Sequence, residues 1–324
     1  MKQAAIVSGT EMQSPAFVKK KKKSGKKGGF RLFLLSLPFL IAVFVFCYMP
    51  LFGWSYAFFD YKAGYNLFDT EFVGLKHFLE PFSNTIVRQE LIRVLKNTFA
   101  MSLLGLLSAP LPMLFAVFLQ EIRLKKVKKV VQTVTTIPNF ISWVLVFALC
   151  YSLFAVDGGL VNNILKALGV TENGINFLAD SDHVWVTMWL LGIWKTLGWS
   201  AIMYISALSS IDEGMYEAAD IDGAGRFQKI WYITIPSLLP TFFVLLVLSI
   251  ANFLNNGMDQ YFIFQNAMNK SNIEVLDLYV FNNGLVGNNI SYSTAIGMLK
   301  SLISVTLLFL ANNASRLIRK QSVF

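Results

Sequence analysis

Asp180 with Asp182, and Asp220 with Asp222, are spaced as carboxylates that could share general acid and base work. The first pair sits in an acidic segment with no basic or phosphate-binding motif beside it, and a solvated loop accounts for both pairs. The two histidines, His77 and His183, are far apart, and no HExxH or Cys/His cluster with metal-ligand spacing occurs. The two cysteines, Cys47 and Cys150, both fall inside apolar runs, so no disulfide framework is expected. No GxxxxGK[ST] loop is present to cradle a nucleotide, so any energy source has to be a partner. The chemistry available to a membrane-embedded transferase, the rival reading, is therefore thin.

Lys195 is different, because it lies within Trp194-Lys195-Thr196-Leu197-Gly198-Trp199, near the middle of a long apolar stretch. An ammonium at the bilayer centre costs about 3 kcal/mol on insertion scales, so it must face a polar cavity or a partner. Two roles stay open: pairing with backbone carbonyls, or lining a solute path, which would favour an anionic solute.

The elements around it are set by composition. Of 324 residues, 55% are hydrophobic and only 15% charged, against about 25% charged in soluble domains. A helix needs roughly 20 apolar residues to cross a bilayer. Six stretches qualify: 32–59, 97–120, 130–156, 184–211, 230–258 and about 292–315. The expected fold is an all-α membrane protein with six transmembrane helices. The carboxylates lie in loops, tails or span ends, so the acidic relay of an ion-coupled carrier has no members. Lys300, nearer the outer end of the last stretch, is expected to snorkel.

The formal net charge of +9 could suggest nucleic acid, but the basic residues occupy short patches between uncharged runs, and no nucleic-acid partner is expected. With the N-terminus inside, nineteen of the 28 lysines and arginines fall on the cytoplasmic side, so the positive-inside rule places both termini there. Residues 1–30 form a Lys/Gly-rich tail that is expected to be disordered and drawn to anionic membrane lipid. Residues 31–324 form one membrane domain, located in a cytoplasmic (inner) membrane. Pro38, Pro50, Pro110, Pro112 and Pro138 punctuate the first three spans, where freed carbonyls need other partners.

Between the fourth and fifth stretches, Ser210 and Glu213 have capping-box spacing, and Asp222-Gly223 signals a turn before a short piece bearing Arg226 and Lys229. A helix-turn-helix outside the membrane is expected. Within it Glu217-Ala218-Ala219, three residues, Gly223, nine residues, then Ile233 and Pro236 resembles the loop signature of the permease subunits of binding-protein-dependent ABC importers; Ile235 stands where leucine is usual. Phe72-Val73-Gly74-Leu75, Asn97-Thr98 and Trp194-Lys195 resemble the maltose-type sugar permeases. Gln132-Thr133, Ile137 through Trp143, Gly158 through Asn162 and Ser293 through Gly297 resemble the branch serving complex oligo- and polysaccharides, alginate- and uronate-type cargo among them. The large periplasmic insert of the maltose permease is absent.

The resemblance implies a type I ABC importer transmembrane domain, non-catalytic itself, with a coupling helix that docks in an ATPase. Glu217, Ala218, Ala219, Asp222, Gly223, Ile233 and Pro236 would form the docking loop. Implied partners are a second homologous permease, two ATPase subunits binding ATP and Mg, an external solute-binding protein and a saccharide; no cofactor or metal is expected in this chain. An amino-acid or peptide solute is the alternative. Saccharide sites pair aromatic faces with amides, which makes Trp143, Lys195, Trp199, Tyr204, Asn252 and Asn255 the path candidates.

Overall fold

The structure, a computed structural model, describes residues 26–319. The predicted tail lies outside the described residues up to residue 25, as does Lys320. The chain divides into two units, residues 1–53 and 54–324. In the first, α1 (Lys26–Val43) contains Pro38 and runs through a π-turn at Phe44–Tyr48 into a 3-10 stretch beginning at Met49. Apolar side chains occupy all its faces, as expected of a helix solvated by lipid.

The second unit is helical, and among its described residues the only β-pairing is an isolated antiparallel bridge between Phe59 and Phe72. The short amphipathic α2 (Lys76–Ser83) ends at Asn84, whose side chain accepts from Ile86 N at 3.0 Å and starts α3 (Thr85–Ser108). The helix thus starts well before the expected position 97. Charged residues 88–96 do not break helicity; they only end the apolar stretch. Pro110 opens α4 (Pro110–Gln120), and α5 (Lys125–Thr136) follows after a short connection.

The third expected span is not one rod. A 3-10 turn at Ile137–Phe140 and extended residues Ile141 and Ser142 turn the chain by 105° into α6 (Trp143–Phe154), which Ser142 caps. After α6 comes α7 (Leu160–Ala167), where buried Asn162 donates to Ala155 O and Ile175 O, both at 2.9 Å, and accepts from Ile175 N at 2.7 Å. One amide thereby holds the loop around Ile175 onto the end of α6.

The central α8 (Val184–Leu208) packs against α4, α5 and, further along, α11 (Ile235–Ala251). Between them lie α9 (Glu213–Ile221) and α10 (Arg226–Lys229). Met113, Ala116 and Val117 of α4, Ala201, Tyr204 and Leu208 of α8 and Leu238 of α11 form one buried cluster. Short helices α12 (Asp259–Phe264), α13 (Lys270–Ile273) and α14 (Leu276–Phe281) precede α15 (Ile290–Arg319). The α3 helix grips this segment with polar side chains. Arg93 pairs with buried Glu274 at 2.7 Å, Asn97 Nδ2 donates to Ser271 O and Glu274 O, and Thr98 Oγ1 accepts from Leu276 N.

Two local expectations are corrected. Ser210 does not cap α9: its hydroxyl donates back to Ala207 O at 2.7 Å, and Asp212 accepts from Gly214 N at 3.0 Å instead. Lys300 does not snorkel, because α14 folds back and brings Asp277 into an ion pair with it, the second carboxylate oxygen accepting from Gly257 N.

Among the described residues, four helical segments can cross a membrane by length and composition: Leu32–Phe58, Thr85–Gln120, Arg226–Ala251 and Ile290–Leu317. The bent pair 125–140 with 143–154 makes five. The 25 residues of α8 would extend about 37 Å, but four tryptophans and Lys195 lower its hydropathy.

Candidate functional site: a braced loop and an aromatic cavity

The loop after α8 is built from local chemistry. Asp212 caps α9, and its other end closes as a Schellman motif, with Ala224 N donating to Ala219 O at 2.9 Å and Gly223 N to Asp220 O at 3.1 Å. Gly223 sits at φ +74°, where a side chain would be strained. Gly223→Ala therefore costs about 1 kcal/mol, and hydrogen exchange at residues 224–229 should accelerate about fivefold while the spans exchange unchanged.

Two contacts tie this loop to the helices, and a third closes it on itself. Arg226 reaches Glu121 at the end of α4, with Nη2 2.6 Å from Oε2 and 3.0 Å from the backbone oxygen. Lys229 pairs with Asp220 across the turn. Tyr216 OH meets Thr234 Oγ1 at 3.0 Å, at the foot of α11. The remaining surface is free: Glu217 and Ala218 are exposed, Ala219 half-buried, and Ile221 and Phe227 are 87% and 85% exposed. Asp222, Gly223 and Pro236 are exposed too, while Ile233 is half-buried. A loop fixed on one side and bare on the other can transmit a push.

Lys195 occupies the corner between α5 and α6. Its Nζ donates to Pro138 O at 2.9 Å, Asn139 O at 3.1 Å and also Ile141 O. These carbonyls lie in and just after the 3-10 turn, near the negative end of a helix dipole, and Pro138 O also accepts from Ile141 N at 3.2 Å. Its ammonium also lies 5.3 Å from the ring centre of Trp143. One turn on, a Cβ at Gly198 would come within 2.3 Å of Thr135 O, so only glycine permits this approach of α5.

A cavity of about 770 Å³ opens between α3, α4, α6, α8, α11 and α12. Trp143, Trp199, Tyr204 and Asn252 line it. Lys195 and Asn255 are not among its lining residues; Asn255 instead donates to Asn252 Oδ1 at 3.2 Å. Sequence reasoning missed Trp189, Asn256, Asp259 and Gln260 on the same wall. Asn256 and Gln260 are committed in part, to Ser102 Oγ at 3.1 Å and Met188 O at 2.7 Å. The signal that could have found them is the polar run Asn255-Asn256-Gly257-Met258-Asp259-Gln260 directly after an apolar span.

No cluster able to hold a metal occurs among the described residues. Asp180 of the first aspartate pair accepts from Asp182 N at 2.8 Å and lies 2.7 Å from His183 Nδ1, and this hydrogen bond to His183 holds its carboxyl below the usual range. It forms a turn at the start of α8.

An all-helical membrane domain with such a loop is the transmembrane part of an importer. Residues 103–320 match the family described as binding-protein-dependent transport system inner membrane component, and the chain belongs to that family. It is 36% identical over 294 residues to Protein LplB of Bacillus subtilis, covering 90% of this chain and 91% of that one. It is 37% identical to the polygalacturonan/rhamnogalacturonan transport system permease protein YteP of the same organism, covering 90% of each. Among solved structures it is similar to a chain of a bacterial alginate ABC transporter in complex with alginate pentasaccharide-bound periplasmic protein, with a TM-score of 0.81 and 31% identity over 91% of this chain and 97% of that one. The fold is that of a type I ABC importer permease, and the protein is a sugar-importer permease.

Proposed function

We propose that this chain forms one half of the translocation path of a heteromeric importer for an oligo- or polysaccharide, in an inner membrane. Its helices cross six times with both termini in the cytoplasm, α5 and α6 together making the third crossing and α8 the fourth. A second permease supplies the other half of the path, and an external solute-binding protein delivers the cargo. Two ATPase subunits, carrying ATP and Mg, dock on Glu217, Ala218 and the exposed apolar residues around them. Closure of the ATPases drives the loop as a rigid body, and the Arg226–Glu121 and Tyr216–Thr234 contacts pass that motion to α4 and α11. An acidic, uronate-type cargo is the finer reading, supported by the named cargoes of YteP and of the alginate transporter.

The observation that carries the proposal is the coupling loop: capped, closed by Gly223, braced from behind and bare in front. Affinity purification of the tagged chain from its native membrane in mild detergent tests it. A second permease and an ATPase are expected to co-purify. A folded, solitary chain would overturn the importer assembly.

A further inference from the structure

Both lysines within the expected spans are already occupied. Lys195 is held by three backbone carbonyls outside the cavity lining, and Lys300 by Asp277. The residues lining the 770 Å³ cavity include no lysine, arginine or histidine, and a single carboxylate, Asp259. Asp259 opens α12, is exposed, and has no hydrogen-bond or ion-pair partner among the described residues. The same cavity is lined by the amides of Asn252, Asn256 and Gln260 and by Trp143 and Trp199.

We infer that Asp259 is a specificity-determining residue of the path: its carboxylate accepts hydroxyls of the passing saccharide and repels carboxylates, so the acidic groups of a charged cargo turn away from this chain's wall. The inference rests on the saccharide reading and deepens it. The chemistry is direct. An ionised carboxylate has two oxygens and no proton to give, so it can accept from two neighbouring ring hydroxyls. Charge-assisted bonds of this kind are about twice as strong as neutral ones. A uronate offers the same surface an anion instead, and like charges at close range repel. The Trp143 and Trp199 faces and the neutral amides accept either kind of sugar. Asp259 alone on this wall distinguishes them by charge.

The test uses the whole importer in proteoliposomes, with its solute-binding protein loaded to saturation either with an oligogalacturonide or with its methyl ester, which keeps the skeleton and removes the charge. The readout is the ratio of ATP hydrolysis stimulated by the acid to that stimulated by the ester. Comparing variant with wild type cancels the binding protein's own preference. Asp259→Asn is expected to raise that ratio several-fold, and Asp259→Lys by about tenfold or more. A ratio unchanged in both variants, with stimulation retained, overturns the role of Asp259 and leaves the saccharide reading standing. A wild-type complex stimulated by neither of these cargoes nor by any neutral oligosaccharide overturns both. Because Asp259 is exposed and Asn is nearly isosteric, loss of assembly in Asp259→Asn would also overturn the inference, since it would make the residue structural.

Discussion

Glu217→Lys is expected to reduce ATPase recovery with the purified chain at least a hundredfold and to abolish transport, while the variant still inserts and folds. Glu217 is exposed, without partner among the described residues, and lies about 100° around α9 from Tyr216, through which the helix is attached. Among the described residues nothing pairs with its charge, so reversal leaves the permease itself stable. In a docked complex the same position would be desolvated. Truncating one member of a desolvated charge pair costs about 2–5 kcal/mol, and reversal adds repulsion. Co-purification with the ATPase, solute-stimulated ATP hydrolysis and a thermal-shift measurement on the isolated permease separate the two effects. Normal stimulated hydrolysis in the variant would remove Glu217 from the docking interface. A folding defect without loss of docking would assign it a structural role that none of its surroundings suggests.

How much of this was legible in the sequence depends on the range of the interaction that fixes each part. The docking loop was readable because its geometry is local: a cap, a turn glycine and a restart, all within about two dozen residues. Even there the cap moved from Ser210 to Asp212, two positions with equally suitable side chains, which only backbone dihedrals distinguish. Apolar runs marked the helices but not their ends. Hydropathy reports solvent, whereas Arg88 to Lys96 are helical although four of them are charged, extending α3 to hold the α13–α14 segment. The break after Pro138 was invisible as a 105° turn because its stabiliser, Lys195, lies 54 to 57 residues away in sequence. Lys300 was misjudged for the same reason, since its partner reaches it only once α14 folds back. Asp259 was missed because a carboxylate at the end of an apolar run reads as the start of a solvated loop. Only the fold shows that the loop turns back into a cavity wall.

Lys195→Met is expected to destabilise the assembled permease by about 3 kcal/mol and to lower the transport of acidic and neutral saccharides by the same factor. Methionine has similar length and apolar volume, so the substitution removes the charge and its donors without opening a large cavity. It leaves the carbonyls of Pro138, Asn139 and Ile141 without their shared cation; Pro138 O keeps its bond from Ile141 N, while the part-buried Asn139 and Ile141 carbonyls lose this donor, and a stripped acceptor costs about 1–3 kcal/mol, with some recovery by relaxation. The corner between α5 and α6 should loosen, and Trp143, which stands beside the ammonium and faces the cavity, should lose its fixed position. Hydrogen exchange at residues 137–146 should accelerate more than elsewhere in α8 or α11. Equal loss for both cargoes follows from geometry, because a cation already shared among three carbonyls has little left to offer a uronate. A selective loss of acidic transport, with the corner's exchange unchanged, would instead place the ammonium in the path during turnover and require that the 105° turn open to release it.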